Sequence, residues 1–115
     1  MIVLETHLPG KRGFFQKLKP HLEGLGFHIA GKNNKREGCF DGILTSQGGK
    51  RLYLSLPYQV IQEEHGQPSV QIEFGRPLII NHAVHSDLNS FQQNDWKLAG
   101  EQAVQQIINH IDNNL

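Results

Sequence analysis

The stretch "LYLSLPYQV", residues 52–60, decides how this chain is read. Leu52, Leu54, Leu56, Tyr58 and Val60 occupy every second position, with Tyr53, Ser55, Pro57 and Gln59 between them. A strand sends successive side chains to opposite faces, so this alternation predicts a strand with one face buried. Upstream, "CFDGILTS" reads as a strand joined to it by the turn "QGGK". Downstream, "EEHGQP" turns the chain back, and Val70, Ile72 and Phe74 then alternate with Ser69, Gln71 and Glu73. "GRP" interrupts that strand as a bulge or bend, because proline withholds a ladder donor, and "LII" continues it.

The buried face of such a sheet needs a second layer. Two segments have the spacing to supply it. In "GFFQKLKPHLEGL", residues 13–25, the positions Phe14, Phe15, Leu18, Leu22 and Leu25 recur at helical spacing. Pro20 predicts either a kink or a helix whose regular part begins close to it. Gly24 and Gly26 are stop positions. In "WKLAGEQAVQQIINHID", Ala99, Gly100, Ala103, Val104, Ile107, Ile108 and Ile111 form one helical stripe anchored by Trp96. Ser90 and Gln93 have the spacing of a capping box ahead of it. At the N-terminus, residues 2–8 alternate as a first strand and "PGKRG" turns the chain. "FHIA" is a short strand, and "GKNNKREG" a turn. The order is β-α-β-β-β-β-α. The expected fold is α+β: a two-layer sandwich, with a largely antiparallel sheet of about five strands and both helices on one face.

At 115 residues the chain is expected to be one domain, 1–115, able to bury roughly two-thirds of the surface its unfolded form exposes. Hydrophobic content of 37% and charged content of 19% suit an ordinary globule rather than a disordered chain. The single cysteine, Cys39, has no internal partner and favours a reducing compartment. No apolar run approaches the roughly 18 residues of a membrane span. Glu5 and the lack of a basic start argue against a secretion signal. A cytoplasmic location is expected. Net charge is zero but segregated. Residues 1–51 carry nine basic and four acidic side chains (+5), and residues 52–115 two and seven (−5). Either the halves interleave and cancel, or they form a dipolar surface suited to self-association or to steering an anion.

The candidate sites are few. "LIINHAVHSDL", residues 78–88, holds His82, His85 and Asp87. If the strand runs straight on, His82 points with Leu78 and Ile80 while His85 points the other way, and ligands on opposite faces cannot share one ion. A turn or helix over 83–88 would bring the histidines together. Cys39 shares a strand face with Asp41, and His28 lies on the preceding strand. A catalytic thiolate needs a positive neighbour or a basic imidazole, and a buried, inert cysteine is the plainer reading. Lys32, Lys35 and Arg36 form a basic turn that is a candidate anion or nucleic-acid contact. Lys11 and Arg12 precede a helix start, which favours anions. No phosphate-loop or RNA-binding signature accompanies either stretch, and solvated turns explain both. "EEH", with Glu63 and His65 on one strand side, reads as a turn cap.

Four pieces together resemble the YugN-like proteins, small uncharacterised bacterial proteins found mainly in spore-forming Gram-positive species. They are "LKPHLEGLGF" at 18–27, "GCFDGIL" at 38–44, "LYLSLPYQVI" at 52–61 and "VQIEFGRPLIINHAVHSDL" at 70–88. The resemblance covers roughly residues 1–90 in order and spacing. The chain departs from the family pattern at "KNNKREG", where the family is more often aromatic and acidic. The resemblance implies an α+β fold and a dimer. It brings no established activity and no catalytic residues. The expectation is therefore a non-catalytic binding or regulatory module acting as a homodimer, with no cofactor, no membrane and no nucleic acid. The alternatives are a metal-dependent enzyme or metal-binding protein using His82, His85 and Asp87, and anion or nucleic-acid binding at Lys32, Lys35 and Arg36.

Overall fold

A computed structural model describes residues 2–30, 36–47, 50–63, 70–81 and 90–113; for 45–47, 50–51, 62–63, 81 and 90–95 it describes the backbone alone. The elements in chain order are β1 (Ile2–Val3), β2 (Arg12–Phe14), α1 (Phe15–Gly24), β3 (Phe27–Ala30), β4 (Glu37–Gln47), β5 (Lys50–Glu63), β6 (Val70–Phe74), β7 (Leu78–Asn81) and α2 (Ser90–Asn113). The strands form one seven-stranded sheet in the order β1-β7-β5-β4-β3, with β6 joining β5 to β2. Every pairing is antiparallel.

β5 organises the sheet. Its Leu52–Ser55 half pairs with β7 and its later half with β6, while β4 follows it on the other side from Lys50 to Gln59. β6 and β7 are thus one strand track broken at 75–77. Phe74 faces Tyr58 and Leu78 faces Ser55, so three residues oppose the two between them. This is the interruption expected at "GRP": Pro77 has no N–H to offer, while the Gly75 N–H donates to the Pro57 carbonyl at 2.9 Å. The N-terminal edge is broken in the same place. β1 pairs with β7, β2 pairs with β6, and residues 4–11 leave the ladder between them. The Leu4 N–H still reaches the Pro77 carbonyl at 2.9 Å, and the Gly10 N–H reaches the Phe74 carbonyl at 2.8 Å. Seven strands therefore lie on five tracks.

The start of the chain differs from the sequence reading in two ways. Only Ile2–Val3 of the expected strand 2–8 is extended in the ladder, because Leu4 and Leu8 turn inward and are buried. Arg12–Phe14, expected as turn and helix start, is a strand held by β6. A three-residue strand has too little alternation to be read locally, and its partner lies far along the chain.

Helix α1 starts one residue after Phe14, its N-cap, and runs through Pro20 without ending there. It buries Leu18 and Leu22 one turn apart. It stops at Gly24, with Gly26 at φ 95°, a conformation glycine tolerates and other residues rarely adopt. Helix α2 begins at Ser90, earlier than its apolar stripe suggests, and buries Gly100, Val104, Ile107, Ile108 and Ile111. Trp96 packs against the core as an anchor. At Gly100 the helix comes so close that a Cβ would lie 2.9 Å from Leu4 Cδ1 and 3.1 Å from Ile79 Cδ1.

Both helices cover one face. Phe15 of α1 stacks on Phe40 at 5.9 Å, and α2 meets Ile79 at Gly100. Phe40 is paired with Leu56 and Ile79 with Leu54, two residues on the same side of β5. On that side β4 reads Gly38, Phe40, Gly42. The Tyr58 ring lies over Gly38 and the Phe27 ring over Gly42, each where a side chain on β4 would otherwise stand. The two helices also touch each other through a parallel stack of His21 and His110, with ring centroids 3.4 Å apart. Burial, and then the neighbouring His110 imidazole, pull the His21 pKa below its ordinary value, so the stack favours a neutral His21.

Among the described residues the two halves of opposite charge meet in ion pairs. Lys11 binds Asp112 at 2.8 Å and Arg12 binds Glu73 at 3.4 Å, both joining the basic half to the acidic half. No helix among the described residues is long and apolar enough to cross a membrane.

Candidate functional site

The side chains that alternate with the core set form a second face, which neither α1 nor α2 covers. The strand registers order it in rows. Ile43, Tyr53 and Ile80 lie side by side across β4, β5 and β7. The next row is His28, Asp41, Ser55, Leu78 and Val3. Then come Ala30, Cys39 and Pro57. The last row is Glu37, Gln59, Glu73 and Arg12. Polarity therefore changes along the strands, from an apolar end through a polar centre to a charged end.

At the apolar end Ile43 is 61% exposed and Val3 44%, with Tyr53, Leu78 and Ile80 half-buried beside them. At the centre, Ser55 is only 4% exposed, although alternation places it on the water-facing side. Oδ1 of its neighbour Asp41 is also out of solvent, and it has no hydrogen-bond partner among the described residues. A buried oxygen left without a donor costs about 1–3 kcal/mol. At the charged end a shallow groove of about 490 Å3 opens between Glu37, Cys39, Gln59 and Glu73.

Register brings His28, Cys39 and Asp41 onto this one face, as the spacing of a nucleophile with acid and base would require. The electrostatics oppose that role. Burial raises the Cys39 thiol pKa above its ordinary value, the Asp41 carboxylate raises it further, and the thiol donates to the Ala30 carbonyl at 3.3 Å. A thiol held neutral is a poor nucleophile. Alkylation of Cys39 by iodoacetamide at pH 7.5 is expected to be at least ~10-fold slower in the folded protein than in the urea-unfolded chain. Equal rates would show an activated or fully open thiol.

A model of the YugN-like family matches residues 3–113. The chain belongs to the YugN-like family. The match continues past residue 90, where the resemblance visible in the sequence stops, and takes in α2. Among solved structures, the crystal structure of the uncharacterized conserved protein YugN from Geobacillus kaustophilus HTA426 superposes with a TM-score of 0.70 at 16% identity. The superposition covers 95% of this chain and 96% of that one. At that identity the likeness is one of fold. A comparison with curated proteins finds no match.

Within this YugN-like fold the sequence-predicted sites separate. His82, His85 and Asp87 lie outside the described residues, as do Lys32 and Lys35. Arg36 is exposed, and its carbonyl accepts the Val60 N–H at 2.7 Å, tying the end of the basic turn to β5. The side chain of Glu63 and the whole of His65 lie outside the described residues. Lys11 and Arg12 are held in the ion pairs above. Among the described residues no group of three or more His, Cys, Asp and Glu side chains converges as a metal site. The apolar patch at 3, 43, 53, 78 and 80 was not a candidate from sequence. Alternation sets Val3 and Tyr53 apart from the core positions, but Leu78 and Ile80 continue the phase of the apolar set Val70, Ile72 and Phe74. The extra residue at 75–77 turns them to the other face and puts Ile79 in the core, and only the register places four strands' worth of them together.

Proposed function

We propose that this YugN-like protein is a non-catalytic binding module that works as a homodimer, its two copies meeting across the uncovered sheet face. The observation that supports the reading is the contiguous apolar patch of Val3, Ile43, Tyr53, Leu78 and Ile80. Contiguous exposed apolar surface is characteristic of interaction sites. A twofold interface sets one patch against its own copy, so a charged patch would repel itself. None of these five residues is charged. The net charge of zero also removes long-range repulsion between copies. The neutral Cys39 thiol favours binding over nucleophilic chemistry on the same face.

Sedimentation equilibrium is expected to show a dimer at micromolar concentration. Ile43→Glu tests the face directly. Ile43 is 61% exposed, so the monomer fold tolerates the change, within about 0.5 kcal/mol for an ordinary surface site. A carboxylate buried in the patch should weaken association by at least ~100-fold. A wild-type monomer at high micromolar concentration, or a dimer indifferent to Ile43→Glu, overturns the reading.

A further inference from the structure

The two helices leave a surface pocket at one edge of the sheet. Where α1, the end of α2 and the β2 edge of the sheet meet, a pocket of about 260 Å3 remains. It shares no residue with the apolar patch of the proposed dimer, though Arg12 also ends the charged row of that face. Its apolar lining comes from Phe14, Leu18 and Ile111. Gly13 makes this geometry possible: a Cβ on it would stand 2.7 Å from Leu18 Cδ1, so the bare strand lets the α1 side chain settle onto the sheet.

The polar lining is one-sided. Arg12, Lys17 and His110 contribute nitrogen-bearing groups, Gln71 contributes an amide, and none of the described lining residues is acidic. The nearest ion-paired acids are spoken for from outside the pocket: Glu73 binds Arg12 at 3.4 Å, and Asp112 binds Lys11 at 2.8 Å. Arg12 meets Glu73 through its Nε, and its side chain is 63% exposed. Lys17 makes no ion pair with a described residue; its Nζ sits 5.6 Å over the Phe14 ring. A cation over an aromatic face at an exposed site gains less than a carboxylate in a partly desolvated pocket would offer it.

We propose that this pocket is a binding site for a small organic monocarboxylate, its apolar body against Leu18, Phe14 and Ile111 and its carboxylate facing Arg12, Lys17 and His110. Size limits the ligand. The pocket falls below the roughly 300–1,000 Å3 of drug-sized sites, so the body is one aromatic ring or a short branched chain. A bare inorganic anion would leave the apolar wall unused. A neutral body of the same shape would forgo the charge-assisted hydrogen bonds that Arg12 and Lys17 offer. Both halves of the ligand are needed.

Phenylacetate, its neutral amide phenylacetamide and inorganic phosphate separate these demands. They are titrated into the full-length 15N-labelled protein and followed by amide chemical shifts. Phenylacetate is expected to give saturable shifts at Gly13, Lys17, Gln71 and Ile111 with a dissociation constant of about 1 mM, the range open to ten heavy atoms. Phenylacetamide and phosphate should each bind at least ~10-fold more weakly. Lys17→Gln, at an exposed helix position, should weaken phenylacetate by ~3–10-fold and leave the melting temperature unchanged. Arg12→Gln should act in the same direction as an independent check. No saturable shift at 20-fold the expected constant, shifts located elsewhere, an amide or phosphate that binds as well as the carboxylate, or indifference to both variants would each overturn the proposal.

Discussion

Phe40→Ala is expected to remove about 3–5 kcal/mol of unfolding free energy. Phe40 has no exposed surface, and its ring meets Phe15 at 5.9 Å and Tyr58 at 5.3 Å. Truncation loses the transfer of the ring from water, leaves a cavity between β4 and α1, and breaks both ring contacts. The neighbours cannot collapse into the space easily. Gly38 and Gly42 on either side of Phe40 have no side chains to offer, and Tyr58 and Phe27 already occupy the room above those glycines. Total stability of a domain this size is about 5–15 kcal/mol, so one residue decides a large share of it. Urea unfolding followed by circular dichroism should show the midpoint falling sharply with little change in slope. Leu98→Ala is the matched control: Leu98 is 59% exposed and should cost less than about 0.5 kcal/mol. A loss below about 1 kcal/mol for Phe40→Ala would mean that the ring cluster does not exist in this form.

Gly42→Val carries the second large effect, and local propensity predicts the opposite sign. Valine suits a strand better than glycine, so a reading confined to β4 expects stabilisation. The Phe27 ring decides otherwise. A Cβ on Gly42 would lie 2.8 Å from Phe27 Cδ1 and 3.0 Å from both Cγ and Cε1. Those atoms belong to the body of a rigid ring that is itself only 7% exposed, so it cannot swing clear. Overpacking of this kind costs about 1–3 kcal/mol, and the two further methyl groups of valine place this case at the upper end. Gly42→Ala combined with Phe27→Leu should recover part of the loss, with a coupling energy above about 0.5 kcal/mol in a double-mutant cycle. Strict additivity, or a neutral Gly42→Val, would refute the packing of Phe27 across β4.

These two residues explain the "GCFDGIL" segment that marks the family resemblance. Its glycines are not turn signals and its aromatic ring is not a ligand platform. On the core side β4 alternates bare backbone with Phe40, and rings from β3 and β5 fill the bare positions. Nothing in the segment's own spacing shows this, because the filling groups arrive from residues 27 and 58. The candidate site divides the same way. That Cys39 and Asp41 share a face follows from period 2 alone. That His28 stands beside Asp41, and that Val3 and Ile43 belong to one apolar surface, depends on the antiparallel registers of β3, β4, β5, β7 and β1.

Local periodicity is a property of one backbone segment, so the sequence by itself determined the long strand β5, the apolar stripe of α2, the break at "GRP" and the two-layer α+β plan. Each shows as alternation or helical spacing over several residues. Strand β2, the departure of residues 4–11 from the ladder, the burial of Ser55 and the pocket at Gly13 were decided only in the tertiary structure. Their energies come from contacts between segments distant in the chain: Arg12–Phe14 is a strand because β6 offers it a ladder, and the pocket exists because α1 and α2 converge on a glycine.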